Sequence, residues 1–196
     1  LLVSHSAFAL DKWNITWTDS TKNPLELSGA GDRSYMPYVL YNEQWPEQSR
    51  YRIWFDYASI AGIAYAYSAD GITWSAPVKT TGLNTTGTEP AGRPVLLYNT
   101  AWSKPFRIYY YGNLGDGWEV RVAESSDGIA FTNDQIAIMA GASEMGTYPD
   151  GHAVLYIPGR AEPFLMYYRS TNNYIMLATS IDGYEFLDLI PIEYSE

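Results

Sequence analysis

Ser68-Ala69-Asp70-Gly71-Ile72-Thr73-Trp74 returns as Ser125-Ser126-Asp127-Gly128-Ile129-Ala130-Phe131, and again as Ser180-Ile181-Asp182-Gly183-Tyr184-Glu185-Phe186. The three glycines stand 57 residues apart (128 − 71) and then 55 apart (183 − 128). Self-similarity at such a period means a ring or stack of like units. Each stretch follows short apolar runs rich in aromatics. In the first unit these are Tyr38-Val39-Leu40-Tyr41, Tyr51-Arg52-Ile53-Trp54-Phe55 and Gly62-Ile63-Ala64-Tyr65-Ala66-Tyr67. The second unit answers with Val95-Leu96-Leu97-Tyr98, Phe106 to Tyr111 and Val120-Arg121-Val122-Ala123. The third has Ala153-Val154-Leu155-Tyr156, Phe164 to Tyr168 and Tyr174 to Ala178.

Runs of this length and composition, bounded by Gly, Pro and Asn, read as strands. No stretch sustains a helical apolar period for ten residues, so helix is at most a minor component. A fourth strand is expected to begin at Ile72, Ile129 or Tyr184. The Asp-Gly pair before it reads as a tight hairpin in which both residues accept positive φ. The preceding Ser ties its hydroxyl to local backbone. Trp74, Phe131 and Phe186, at constant spacing, are expected to pack between neighbouring sheets. Four antiparallel strands repeated around an axis make a β-propeller blade; one large sandwich does not explain why whole four-strand units recur. The expected fold is therefore all-β, a single propeller domain over residues 1–196. Ile15-Thr16-Trp17 lies one period (57 residues) before Ile72-Thr73-Trp74, which makes residues 1–30 a half-blade. Blades of about 31–86, 87–145 and 146–196 follow.

Lys plus Arg total 12 against 22 Asp plus Glu, a net charge of −10. That balance argues against phosphate-backbone binding, hence against nucleic acid, and against anionic membrane surfaces. No apolar run reaches the length of a membrane-spanning helix. There is no cysteine, which excludes disulfides and thiolate metal sites. His5 and His152 make no metal motif, and nothing in the sequence calls for a cofactor. Leu1-Leu2-Val3 with Ala7-Phe8-Ala9 fits the tail of a signal peptide, although the same residues fit the strand repeat. A secreted or extracytoplasmic location is the expectation.

Blades of the form Pro-x-Val…Tyr…Ala-x-Ser-x-Asp-Gly-x-x-Trp resemble those of the five-bladed β-propeller glycosidase superfamily, which includes glycoside hydrolase families 43 and 32. The resemblance runs from Phe8 to about Leu189. The Ser-x-Asp-Gly element is also similar to the sialidase Asp-box, but that motif has one more residue between Asp and Gly. Five blades at this period need on the order of 280 residues, so roughly 80 would lie upstream. The chain is then a partial one, with about three and a half of five blades, or a second chain completes the ring.

The resemblance implies acids at one mouth of the central channel, on or just before the innermost strand of different blades. Three segments correspond: Gly31 to Pro37, Thr88 to Pro94 and Thr147 to Ala153. Pro37 and Pro94 align at the 57-residue offset (94 − 37), as do Asp32 and Glu89 (89 − 32), and Asp150 falls in the same loop of the third blade, two places later. Glu89 as acid, Asp32 as base and Asp150 as a modulator of its neighbours would suit glycosidic bond hydrolysis. Arg33, Arg93 and His152 would hold sugar hydroxyls or orient the acids, and Tyr35 and Tyr148 would stack on sugar rings, making a carbohydrate the expected ligand. Two features weigh against catalysis. Acids in Gly- and Pro-rich loops ordinarily cap turns, and the superfamily's Asp-Pro position holds Met36, Arg93 and, in the third blade, His152. The alternative is a non-catalytic glycan-binding or assembly module. Asp70, Asp127 and Asp182 recur in every unit and therefore read as turn formers, since a catalytic group need occur only once.

Overall fold

The computed structural model describes residues 34–84, 91–113, 118–138, 150–170 and 174–192. They form twelve strands in three antiparallel sheets. The first sheet orders β1 (Ser34–Tyr41), β2 (Tyr51–Tyr57), β3 (Gly62–Ser68) and β4 (Val78–Lys79) as a meander. The second repeats this with β5 (Gly92–Tyr98), β6 (Phe106–Asn113), β7 (Trp118–Ser125) and β8 (Phe131–Ile138). The third does so with β9 (Asp150–Tyr156), β10 (Phe164–Arg169), β11 (Ile175–Ser180) and β12 (Leu187–Pro191). The helical content of the described residues is two 3-10 turns, at Glu47–Ser49 and Ala58–Ile60. These are three blades of a β-propeller. The expected half-blade over residues 1–30 lies outside the described residues.

The middle strands β6 and β7 bury both faces because their sheet is sandwiched between the other two. Along β6, Phe106, Ile108 and Tyr110 join Trp54 and Tyr65 in the core shared with the first blade. The alternate residue Tyr109 joins Val154, Phe164 and Met166 in the core shared with the third. This alternation is the period-2 geometry of a strand. Trp74, Phe131 and Phe186 are all buried, the last two between blades as expected.

The Ser-x-Asp-Gly stretches are turns, with one correction to their reading. Only the glycines take positive φ, at 73° for Gly71, 82° for Gly128 and 78° for Gly183. Each aspartate instead uses its carboxylate: Asp70 Oδ1 accepts the N–H groups of Ile72 (2.8 Å) and Thr73 (2.7 Å), and Asp127 repeats this with Ile129 and Ala130. The serine hydroxyls accept the glycine N–H groups, each at 2.9 Å. The loop so built is longer than a two-residue hairpin, so the fourth strand starts later than expected, at Val78, Phe131 or Leu187.

These turns also lock blade to blade. Trp54 Nε1 donates to the Gly128 carbonyl at 2.7 Å, and Tyr109 Oη to the Gly183 carbonyl at 2.8 Å. Two residues earlier on the same strands, Arg52 and Arg107 donate to the Asp127 and Asp182 carbonyls. Arg52 lies over Trp45, and Arg107 over Trp102 and Tyr184. Trp45 and Trp102 are therefore parts of the inter-blade packing.

Candidate functional site

The innermost strands β1, β5 and β9 run side by side, and each carries the same irregularity. Pairing slips between Tyr35 and Tyr38 in β1, between Gly92 and Val95 in β5, and opposite Tyr167 and Arg169 in β9. Inside each slip sits one left-handed residue: Met36 at φ 47°, Arg93 at 54° and Gly151 at 61°. Such a bulge re-aims the side chains around it. For the non-glycine pair the conformation costs about 1–2 kcal/mol each, and both precede proline, which restricts them further. Strain of this kind gathers where a fold presents groups for use.

The register also corrects the alignment of the third blade. Tyr38, Val95 and Ala153 hold equivalent positions opposite Trp54, Tyr109 and Tyr167. Counting back from these, His152 stands where Pro37 and Pro94 stand, and Gly151 is the counterpart of Met36 and Arg93. Asp150 matches Tyr35 and Gly92, three places after Asp32 and Glu89 and not two. The third inner strand thus offers an imidazole where the other two offer proline.

The three bulges enclose a cavity of about 390 Å³, within the range of small-ligand sites. One polar residue from each blade lines it: Tyr38 from β1, Arg93 from β5 and His152 from β9. The rest of the wall is apolar, made by residues such as Met36, Pro94, Val95 and Val154. No carboxylate lines it among the described residues. Of the residues expected at the site, Arg93 and His152 are brought together here. Tyr35 lies on β1, half exposed and outside the cavity wall, and Asp150 opens β9. Asp32, Arg33, Glu89 and Tyr148 lie outside the described residues.

His152 is buried, and neither ring nitrogen has a hydrogen-bond partner among the described residues. Burial is the chief reason its pKa falls to about 4. The Tyr109 main chain opposes that shift without lining up as a hydrogen-bond partner, and the Arg93 charge adds to it. At neutral pH the ring is a neutral donor and acceptor facing a largely apolar wall. Burial likewise raises the Tyr38 hydroxyl above its ordinary value. The Arg93 guanidinium stands 4.9 Å from the centre of the Tyr111 ring, a cation–π distance.

One residue absent from the sequence reading belongs to this neighbourhood. Asp56, near the end of β2, accepts the Arg93 N–H at 2.6 Å. Burial raises its carboxyl to about 6, with the Arg93 main chain and charge pulling the other way. Its signal in the sequence is a lone acid in the aromatic run Tyr51–Tyr57. Among the described residues no cluster of three His, Asp or Glu is placed to hold a metal ion.

Known structures carry the same fold. An N-acetylgalactosamine deacetylase from F. plautii, crystallised with blood group B trisaccharide, superposes with a TM-score of 0.61 at 16% identity, over 85% of this chain and 55% of that one. A family 117 glycoside hydrolase from Zobellia galactanivorans gives 0.57 at 16% identity, over 80% and 55%. A putative glycoside hydrolase from Bacteroides ovatus gives 0.57 at 15%, over 78% and 48%. The chain spans about half the length of these proteins. No protein-family model matches the sequence, and neither does any curated protein. At such identities the likeness concerns the fold. Deacetylase and glycosidases share it, so the fold does not choose the reaction.

Proposed function

We propose that the protein is a carbohydrate-active β-propeller of the glycoside hydrolase type, and that the cavity between β1, β5 and β9 receives a sugar of a poly- or oligosaccharide. The observation that supports this is the convergence of Tyr38, Arg93 and a buried His152, without a hydrogen-bond partner among the described residues, on an apolar-walled cavity. A sugar ring has an apolar face for such a wall and hydroxyls that both donate and accept, which a neutral imidazole matches. In this reading Glu89, Asp32 and Asp150 supply the carboxylates for hydrolysis, one protonating the leaving oxygen and one activating water or attacking carbon. Arg33, Tyr35 and Tyr148 extend the sugar contacts, and the protein works in a secreted or extracytoplasmic setting.

One observation favours the second reading, a glycan-binding module without turnover: the described cavity wall carries no carboxylate, and Arg93-Pro94 and Met36-Pro37 stand where an Asp-Pro is expected from the resemblance. The two readings separate in one experiment, a panel of glycosides assayed for binding and for release of reducing ends. Hydrolysis lost in Glu89→Gln supports the enzyme. Binding without turnover, lost in His152→Ala, supports the module.

A second chain supplying a further blade is the partner we propose. On the third blade Tyr167 stands at the position of Trp54, facing away from the second and only partly buried, and Leu155 on the neighbouring strand is half exposed. Mass in solution tests this: a particle of one chain only would remove the proposal.

A further inference from the structure

The three residues that β2 turns toward the second blade are Arg52, Trp54 and Asp56, and each binds main chain of that blade. Arg52 and Trp54 hold its Ser-x-Asp-Gly turn. The second blade repeats that pair as Arg107 and Tyr109. It does not repeat the third member, since Tyr111 occupies the position of Asp56. A residue present at every blade interface is structural, and one present at a single interface asks for a reason peculiar to that place.

The place is the bulge of β5. Asp56 Oδ1 accepts the N–H of Arg93, whose φ is +54° and which lines the cavity. The carboxylate also sits over Gly92: a Cβ on that residue would stand 2.8 Å from Asp56 Oδ2. Glycine at 92 thus admits the carboxylate, and the carboxylate takes up the N–H that the bulge withdraws from the sheet ladder. A buried donor left without a partner would cost more than the bond itself contributes.

We propose that Asp56 is a positioning residue for the cavity: by accepting the Arg93 N–H it holds the second blade's bulge left-handed and so sets where the guanidinium stands on the cavity wall. The importance of that placement for sugar binding rests on the functional reading above; the clamp itself does not.

The groups around Asp56 make the clamp sensitive to pH. From β5 it faces the Arg93 main chain and charge. Its cross-strand neighbours are Tyr35 on β1 and Ile63 on β3, and Tyr111 on β6 lies behind the guanidinium. Among the described residues Arg93 is the one cation acting on it, and burial outweighs that attraction, so the carboxyl takes up a proton near pH 6. Protonation exchanges a charge-assisted acceptor for a weaker neutral one, so the bulge loosens as pH falls through that value.

Amide and carboxyl NMR on the full chain between pH 4.5 and 8 tests this without any sugar. The expected result is an Arg93 amide that moves with the Asp56 carboxyl at a midpoint near 6. In Asp56→Asn that midpoint vanishes while the Arg93 backbone 13C shifts remain those of a left-handed residue, because the amide oxygen still accepts. In Asp56→Ala, and in Gly92→Ala, those shifts move toward extended values. An Arg93 amide that does not follow the Asp56 carboxyl in the unsubstituted protein overturns the proposal, whether or not any variant folds. So does an Asp56→Ala protein with unchanged Arg93 shifts. A cavity that binds no glycan would instead sink the functional reading and leave these results standing.

Discussion

His152→Leu should make the protein more resistant to acid, and by an amount that follows from the site. The imidazole titrates near 6.5 in the unfolded chain and near 4 in the fold. A histidine with a depressed folded pKa contributes no penalty above pH 6.5, where both states are neutral. As pH falls, the unfolded chain takes up its proton first, so stability is lost from 6.5 down through 4. Linkage puts the loss at about 2 kcal/mol by pH 5 and about 3 kcal/mol by pH 4. Leucine has no such term and suits the apolar wall; it also removes two buried nitrogens that have no partner among the described residues. Two other sets of groups titrate nearby. Glu124, Asp127 and Asp182 have lowered values, so their contribution fades only below the ordinary carboxylate range. Asp56 works in the opposite sense: its raised value makes the fold less stable as pH rises from 3.8 to about 6. All of these are common to both proteins and cancel in the difference. Urea unfolding of both proteins at pH 7.5, 6, 5 and 4 gives that difference directly. A change smaller than about 1 kcal/mol between pH 7.5 and 4 would mean that the ring is solvated or paired, and the reasoning about the site would fail.

The blade-to-blade locks make further expectations. Tyr109→Phe removes a fully buried donor from the Gly183 carbonyl and should cost about 1–3 kcal/mol, whereas Tyr167→Phe, on the outward face of the third blade, should change urea unfolding of the single chain by less than about 0.5 kcal/mol. Gly82→Ala should cost about 2–4 kcal/mol, since its Cβ would run into the Phe131 carbonyl at 1.8 Å and its φ is +77°; a thermal melt within a degree of the parent would contradict the packing. Arg121 is paired with Glu119 at 2.6 Å and Asp134 at 3.0 Å, all three largely buried. Arg121→Met, which strands Glu119 and leaves Asp134 only the Tyr110 hydroxyl, should cost about 3–5 kcal/mol, and much of it should return when the acids are replaced as well.

The architecture was legible because repetition exposes it. The Asp-Gly turns and the Val-Leu-Tyr runs recur at nearly constant offsets, and a residue needed in each blade shows itself each time. The same logic assigned Asp70, Asp127 and Asp182 to the turns, where their carboxylates bind the following N–H groups. What recurs once is harder to see. Asp56 meets Arg93 across a blade interface, 37 residues away in sequence, and no local pattern joins them. The third inner strand breaks the period, since Ala153 stands 58 residues after Val95 (153 − 95) whereas Val95 stands 57 after Tyr38 (95 − 38). Periodicity alone could not tell that His152 takes the place of a proline, and only the pairing opposite Tyr167 fixes it. The fourth strand began late for a local reason: the Asp carboxylates keep residues 72–73 and their counterparts in the turn.

The claim that the cavity between β1, β5 and β9 is a glycan site meets its most direct test at the His152 ring. Imidazole 1H–15N shifts of the full chain should be followed while a panel of plant and microbial oligosaccharides is titrated in. At least one sugar should shift the His152 ring resonances, with affinity falling tenfold or more in both His152→Ala and Arg93→Ala. Sugars that bind without moving that ring, or with affinity unchanged in both variants, would place recognition elsewhere and contradict it.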